Sequence, residues 1–105
     1  MKILNSIQSY NNMQLSALRD ECVALIDKIL RADTLQEVQK YCDAGIKALE
    51  NQAWAKPAIA DFLELVSREL KLFSPMDENP KQWNNINIAK IHIIKTRRQM
   101  GGRLY

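Results

Sequence analysis

Residues 81–105 contain six basic side chains and no acidic one, which makes this segment the strongest candidate for binding chemistry. The six are Lys81, Lys90, Lys95, Arg97, Arg98 and Arg103. Residues 1–73 hold nine basic and ten acidic side chains, so the net charge of +3 is a property of the C-terminal segment. A cationic segment can contact nucleic-acid phosphates, an acidic protein surface or only water, because Coulomb attraction does not select a partner.

Catalytic and metal-binding chemistry has little support in the residue pattern. His92 is the single histidine and has no recognisable nucleophile or metal-ligand motif beside it. Cys22 and Cys42 lack the close Cys or His spacing of a zinc site or redox pair, so we expect reduced core residues. The chain contains no glycine-rich phosphate loop, nucleophile elbow or HExxH pair. We therefore predict a non-enzyme without metal or cofactor.

Several carboxylates precede a basic residue by four positions, the order and spacing that stabilise an exposed helix face. The pairs are Asp27 with Arg31, Asp43 with Lys47 and Glu64 with Arg68. We interpret them as solvated ion pairs within helices. Glycosidase-like or metal-binding carboxylates would have to converge in a cleft, which this spacing does not indicate.

Three amphipathic helices follow from apolar residues recurring at steps of three and four, over about 13–32, 34–52 and 57–73. Thr34 and Glu37 match a capping box, and Pro57 suits the first turn of a helix. Gly45 lies on the inward stripe of the second helix although glycine weakens helices. This position predicts close approach by another helix, with a ligand against the backbone as the alternative.

The C-terminal segment is separated from these helices by a proline-containing loop at residues 74–80. Asn79 and Pro80 can begin a fourth helix, and Gly101 with Gly102 can end it, so we predict a helix at about 80–100 followed by a short flexible tail. Its crowded isoleucines also fit a strand. A helix, however, gathers apolar residues in one arc and leaves Ile88 outside it; the arc contains Trp83, Ile86, Ala89, Ile93 and Ile94.

The predicted fold is all-α, a single domain over 1–105 built as a small three- to four-helix bundle with a basic C-terminal helix. A chain of 105 residues can bury roughly 60 to 70% of its unfolded surface in one core. No stretch approaches the ~20 apolar residues of a membrane span, and residues 1–12 lack a continuous signal-peptide core. We expect no membrane association and a cytoplasmic location.

The leading functional hypothesis is a small regulator, adaptor or inhibitor that docks on a larger host or cognate protein. A viral or mobile-element accessory factor that redirects a host complex is one version of it. The segregated charge and the apolar residue outside the inward arc motivate this hypothesis. The predicted partner- or phosphate-binding residues are Trp83, Ile88, Lys90, Lys95, Arg97, Arg98 and Arg103.

Two other hypotheses remain open. The basic segment could bind DNA or RNA phosphates nonspecifically. Recognition of a nucleic-acid groove by the last helix has less support. Lys90 and Arg97 share one side of a helix whereas Lys95 lies nearly opposite, and no nucleic-acid-binding motif is present. Alternatively, the last helix could form a symmetric homodimer with a shared core.

Overall fold

The computed structural model describes residues 11–100, and this part of the chain forms four helices without any strand. The all-helical bundle is therefore confirmed. We number the helices α1 (Asn12–Arg31), α2 (Leu35–Asn51), α3 (Lys56–Leu70) and α4 (Pro80–Gln99). The predicted tail, the Gly101–Gly102 helix stop and Arg103 lie outside the described residues. None of the described helices is long and apolar enough to cross a membrane.

Polar side chains cap three of these helices at their N-termini. The Asn11 side chain accepts a hydrogen bond from the backbone N–H of Gln14, and Asn79 accepts one from Gln82, each at 2.8 Å. Thr34 accepts from the N–H of Glu37 as predicted, at 3.1 Å, but the Glu37 carboxylate accepts from the N–H of Asp33, at 2.7 Å, instead of that of Thr34, so the predicted capping box is only half formed. Such caps satisfy amides that have no partner within the first turn of a helix.

The end of α3 differs from the sequence prediction. This helix ends at Leu70 rather than near residue 73, because the chain turns at Lys71 and Leu72. The backbone N–H of Leu72 donates to the carbonyl of Glu69, and that of Phe73 donates to Leu70. These shorter-range bonds close the helix before the loop that leads to α4.

The core of the described region lies between all four helices, and α4 packs against each of the other three. Its packing against α2 is the most extensive, whereas the consecutive helices α2 and α3 touch least. The largest fully buried side chains are Phe62, Ile29, Leu49, Ile59, Leu63, Leu70, Ile86, Ile93, Val38, Val66 and Cys42. The C-terminal helix is therefore a structural centre of the bundle rather than an element displayed from a three-helix platform.

The buried side of α4 is rotated from the predicted arc. Ile86, Ala89 and Ile93 are buried as predicted, but Ile94 is 45% exposed. Ile88, predicted to lie outside the arc, is half-buried and packs against the core. The reason is the contact with α2: Ile88 lies one turn before His92, whose ring contacts α2, so this flank of α4 faces protein instead of solvent.

Asn85 is the one polar residue buried on α4 within the described region, at 3% exposure. Its amide Nδ2 donates to the carbonyl oxygens of Ile29 at 3.0 Å and Ala32 at 2.9 Å. Both carbonyls belong to the C-terminal end of α1, where the last carbonyls lack the usual amide four residues later; that of Ile29 also accepts from the N–H of Ala32. The side chain thus caps α1 from a distant part of the chain and fixes α4 against it.

Gly45 faces α1 at a distance that leaves room for a methyl group. A Cβ at this position would lie 3.5 Å from the nearest Leu25 methyl carbon, an ordinary van der Waals separation. Because alanine favours a helix by about 1 kcal/mol over glycine, we expect Gly45→Ala to stabilise the protein by about 0.5–1 kcal/mol. Urea unfolding monitored by circular dichroism measures this difference; a destabilised variant would contradict the expectation.

Candidate functional site

Two side chains on one flank of α4 form contacts towards α2 and the turn before it. The Nζ of Lys81 lies 2.5 Å from Oδ1 of Asp33, and Nε2 of His92 lies 2.9 Å from Oδ1 of Asp43. The hydrogen bond and positive charge of Lys81 lower the pKa of Asp33. This contact therefore favours folding at neutral pH, and the contribution is lost as the pH falls through the lowered pKa.

Two cations on the opposite flank of α4, Arg97 and Lys90, also have partners within the protein. Nη1 of Arg97 lies 2.6 Å from Oε1 of Glu64 on α3, and the Nε of the same guanidinium is buried without an acceptor among the described residues. The ammonium of Lys90 lies 5.3 Å from the centre of the Trp83 ring, within cation–π range. Arg97 joins α4 to α3, whereas Lys90 contacts a side chain of α4 itself; both cations are less available to an external partner.

The carboxylates of Asp43 and Glu64 therefore do not form the predicted pairs within their own helices. Only the Asp27–Arg31 pair of that set is present among the described residues, with Nε of Arg31 3.2 Å from Oδ1 of Asp27. A basic residue four positions away in the same helix competes with any other hydrogen-bonding partner that packing brings closer to the carboxylate. Here α4 brings His92 and Arg97 to the two carboxylates, so packing between helices decides the pairing.

The solvent-facing side of α4 combines apolar and cationic side chains. We define the outer face of α4 as five exposed residues that share one side of the helix: Asn84, Ile91, Ile94, Lys95 and Arg98. They lie within about 100° of the helix circumference and extend over about 21 Å of its length. Lys81 and Gln99 are also exposed but lie outside this face. Ile91 is 62% exposed, although the buried side of the same helix accommodates other isoleucines. Neither Lys95 nor Arg98 forms an ion pair within residues 11–100.

The predicted binding residues consequently separate into groups. Lys95 and Arg98 lie on the outer face, and Arg103 is outside the described residues. The others are partly buried and have intramolecular contacts: Trp83, Ile88, Lys90 and Arg97. The sequence analysis missed Ile91 and assigned Ile94 to the core. Ile91 lies four residues before Lys95 and seven before Arg98, and Ile94 lies four residues before Arg98. These spacings align on a helix and would have indicated a shared face.

Among residues 11–100, no group of three or more His, Cys, Asp or Glu side chains is arranged to hold a metal ion. The imidazole of His92 is hydrogen-bonded to the Asp43 carboxylate, and not to a Ser, Thr or Cys side chain that could act as a nucleophile. A cavity of about 320 Å³ between α1 and α3 includes Arg19, Cys22 and Glu69 in its lining.

Burial raises the pKa of Cys22 to about 11 and that of Cys42 to about 12. At pH 8 both thiols are protonated, and because the thiolate is the nucleophile we expect iodoacetamide to alkylate them about a hundredfold more slowly in the native protein than in guanidinium. Cys22, which lines the cavity, should react before the fully buried Cys42. Mass spectrometry of timed samples measures both rates; equal native and denatured rates would contradict this expectation.

The raised thiol pKa values also determine whether the stability of the protein rises or falls at alkaline pH. Between pH 9 and 11 the unfolded chain loses thiol protons that the native protein retains. Stability should therefore decrease as the pH rises through this range. Replacing both cysteines with alanine would remove this contribution and serves as the control.

Comparison with protein-family models, curated proteins and solved structures finds no match to this chain.

Proposed function

We propose that this protein is a small, non-catalytic regulator or adaptor that docks on a larger protein through the outer face of α4. The observation that supports this function is the exposure of Ile91 and Ile94 beside Lys95 and Arg98, which lack ion pairs among the described residues. Exposed apolar side chains next to charged ones are typical of protein-binding patches. The buried opposite side of α4 holds this face in place.

A nucleic-acid-binding protein is the competing proposal, and the contacts within the bundle reduce its support. Lys81 and Arg97 are paired with carboxylates and Lys90 with an aromatic ring, which leaves Lys95 and Arg98 as the cations of the 81–100 segment without such contacts. Neutralising two phosphates would give a slope of about −1.8 for log affinity against log salt. A steeper slope would require cations beyond the outer face.

Site-specific photo-crosslinking in the native host tests the proposed function. A photoreactive amino acid at position 91 should form a covalent adduct with another protein, and the adduct should persist after nuclease treatment. The same amino acid at position 28, an exposed site on α1, is the matched control. An adduct that disappears with nuclease would support the nucleic-acid proposal, and the absence of any adduct specific to position 91 would contradict docking through this face.

A further inference from the structure

The outer face of α4 carries positive charge that the surrounding protein does not neutralise. Three acidic side chains lie at the margins of α4, and each is already bonded to a side chain of that helix: Asp33 to Lys81, Asp43 to His92 and Glu64 to Arg97. Residues 81–100 contain no acidic side chain of their own. A partner that covers Lys95 and Arg98 would have to supply carboxylates, because burying an unpaired charge is costly.

The apolar and cationic side chains follow a regular order along the helix axis. Lys95 follows Ile91 by four residues, and Arg98 follows Ile94 by four residues. Each cation therefore lies slightly more than one turn, about 6 Å, towards the C-terminal end from an isoleucine. The outer face thus has an apolar patch near its middle and a cationic patch at its C-terminal end, and a complementary surface must contain both kinds of group at the same spacing.

We propose that the outer face of α4 binds an acidic amphipathic helix of the partner, running antiparallel to α4; this inference rests on the proposed function. In this orientation the N-terminal turns of the partner helix lie beside Lys95 and Arg98, and its later apolar residues contact Ile91 and Ile94. Carboxylates are favoured in the first turn of a helix by its dipole, so the antiparallel direction places them where both the partner helix and α4 stabilise them.

A second copy of the chain fits this face less well. A symmetric antiparallel pairing centred on Ile91 would place Lys95 opposite Asn87 and Arg98 opposite Asn84 of the other copy. The two cations would then meet amides and no carboxylates. Because Lys95 and Arg98 require carboxylates, we infer that a different protein, and not a second copy of this chain, binds the outer face.

Selection from a library of displayed helical peptides tests this proposal on the full-length protein. The library is randomised at both its apolar and its charged positions, so that it favours no charge pattern in advance. Enriched peptides should carry Asp or Glu in the first two turns, followed by apolar residues three or four positions apart. Enrichment of basic peptides, of peptides without a charge bias, or of none at all would overturn the proposal.

Fluorescence anisotropy of an enriched peptide then locates its site. We expect the double variant Lys95→Glu/Arg98→Glu to weaken affinity about tenfold or more, and a peptide with Lys in place of its acidic residues to recover binding to that variant. Lys28→Glu/Lys40→Glu, which changes the net charge equally at exposed sites on α1 and α2, should alter affinity less than about twofold. Equal effects of the two double variants would overturn the proposal.

Two outcomes separate this inference from the proposed function. If the crosslink from position 91 to a protein persists but acidic peptides are not selected, docking stands and the acidic-helix partner is wrong. If light scattering of the purified protein shows a dimer that Ile91→Asp dissociates, a second copy occupies the face and the inference is wrong.

Discussion

Ile93→Asp is expected to unfold the protein. Ile93 is fully buried on the side of α4 that faces the core. A carboxylate there would lose its hydration without gaining a partner, which costs about 4 kcal/mol or more against a total stability of roughly 5–15 kcal/mol for a domain. Circular dichroism at 25 °C should show loss of helical signal, or a melting temperature lower by about 15 °C or more.

Ile91→Asp is the matched control on the same helix. Ile91 is 62% exposed, so the new carboxylate remains hydrated and stability should change by less than about 1 kcal/mol. The same variant should weaken the crosslinked or peptide-bound complex, because it removes an apolar contact from the outer face. A pair of variants with similar melting temperatures would contradict the assignment of inner and outer sides to α4.

Asn85→Ala is expected to destabilise the protein by about 2–3 kcal/mol. The substitution removes two hydrogen bonds. It leaves the Ala32 carbonyl without the Asn85 donor, whereas the Ile29 carbonyl keeps the N–H of Ala32. An unpaired buried polar group costs about 1–3 kcal/mol, which is more than the net value of the hydrogen bond itself. Denaturant unfolding should show a lower midpoint with an unchanged slope.

Asn84→Ala provides the control for this prediction. Asn84 precedes Asn85 directly but is exposed on the outer face, and it has no hydrogen bond from its side chain within the described residues. Its replacement should change stability by less than about 0.5 kcal/mol. If the two alanine variants were equally stable, the capping role of Asn85 would be wrong.

The helices and their starting points could be predicted from sequence because these features depend on neighbouring residues. Thr34 and Asn79 cap helices through amides three residues away, and this spacing is visible in the sequence. The competition between helix and strand for residues 86–94 was also decided correctly. Isoleucine favours strands, but propensity differences span only about 1 kcal/mol, which is less than the burial of an apolar side chain in the helical bundle contributes.

The side of α4 that faces the core could not be predicted from its own residues. The helix has isoleucines on almost every side, so its pattern gives no single apolar stripe. The contact with α2 selects the buried side, and it places Ile88 inward and Ile94 outward. The pairing of Asp43 and Glu64 with α4 has the same origin, since it depends on residues 33 to 49 positions away in the chain.

The candidate site was predicted in part. Lys95 and Arg98 do lie on the exposed face, whereas Lys90 and Arg97 have partners within the protein. Counting charges identifies a basic segment, but it does not show which cations are already compensated. Asn85 was missed because a polar residue within an apolar stretch is ambiguous until its hydrogen-bond acceptors, 53 and 56 residues earlier, are known.

The packing of α4 against all three preceding helices also has a consequence for biosynthesis. During translation α1, α2 and α3 leave the ribosome before the helix that completes their core. The nascent chain therefore exposes apolar surface until α4 has left the ribosome, and only then can the four-helix core form. Such a chain should depend on holding chaperones while it is synthesised, and a premature stop codon before residue 80 should lead to rapid proteolysis.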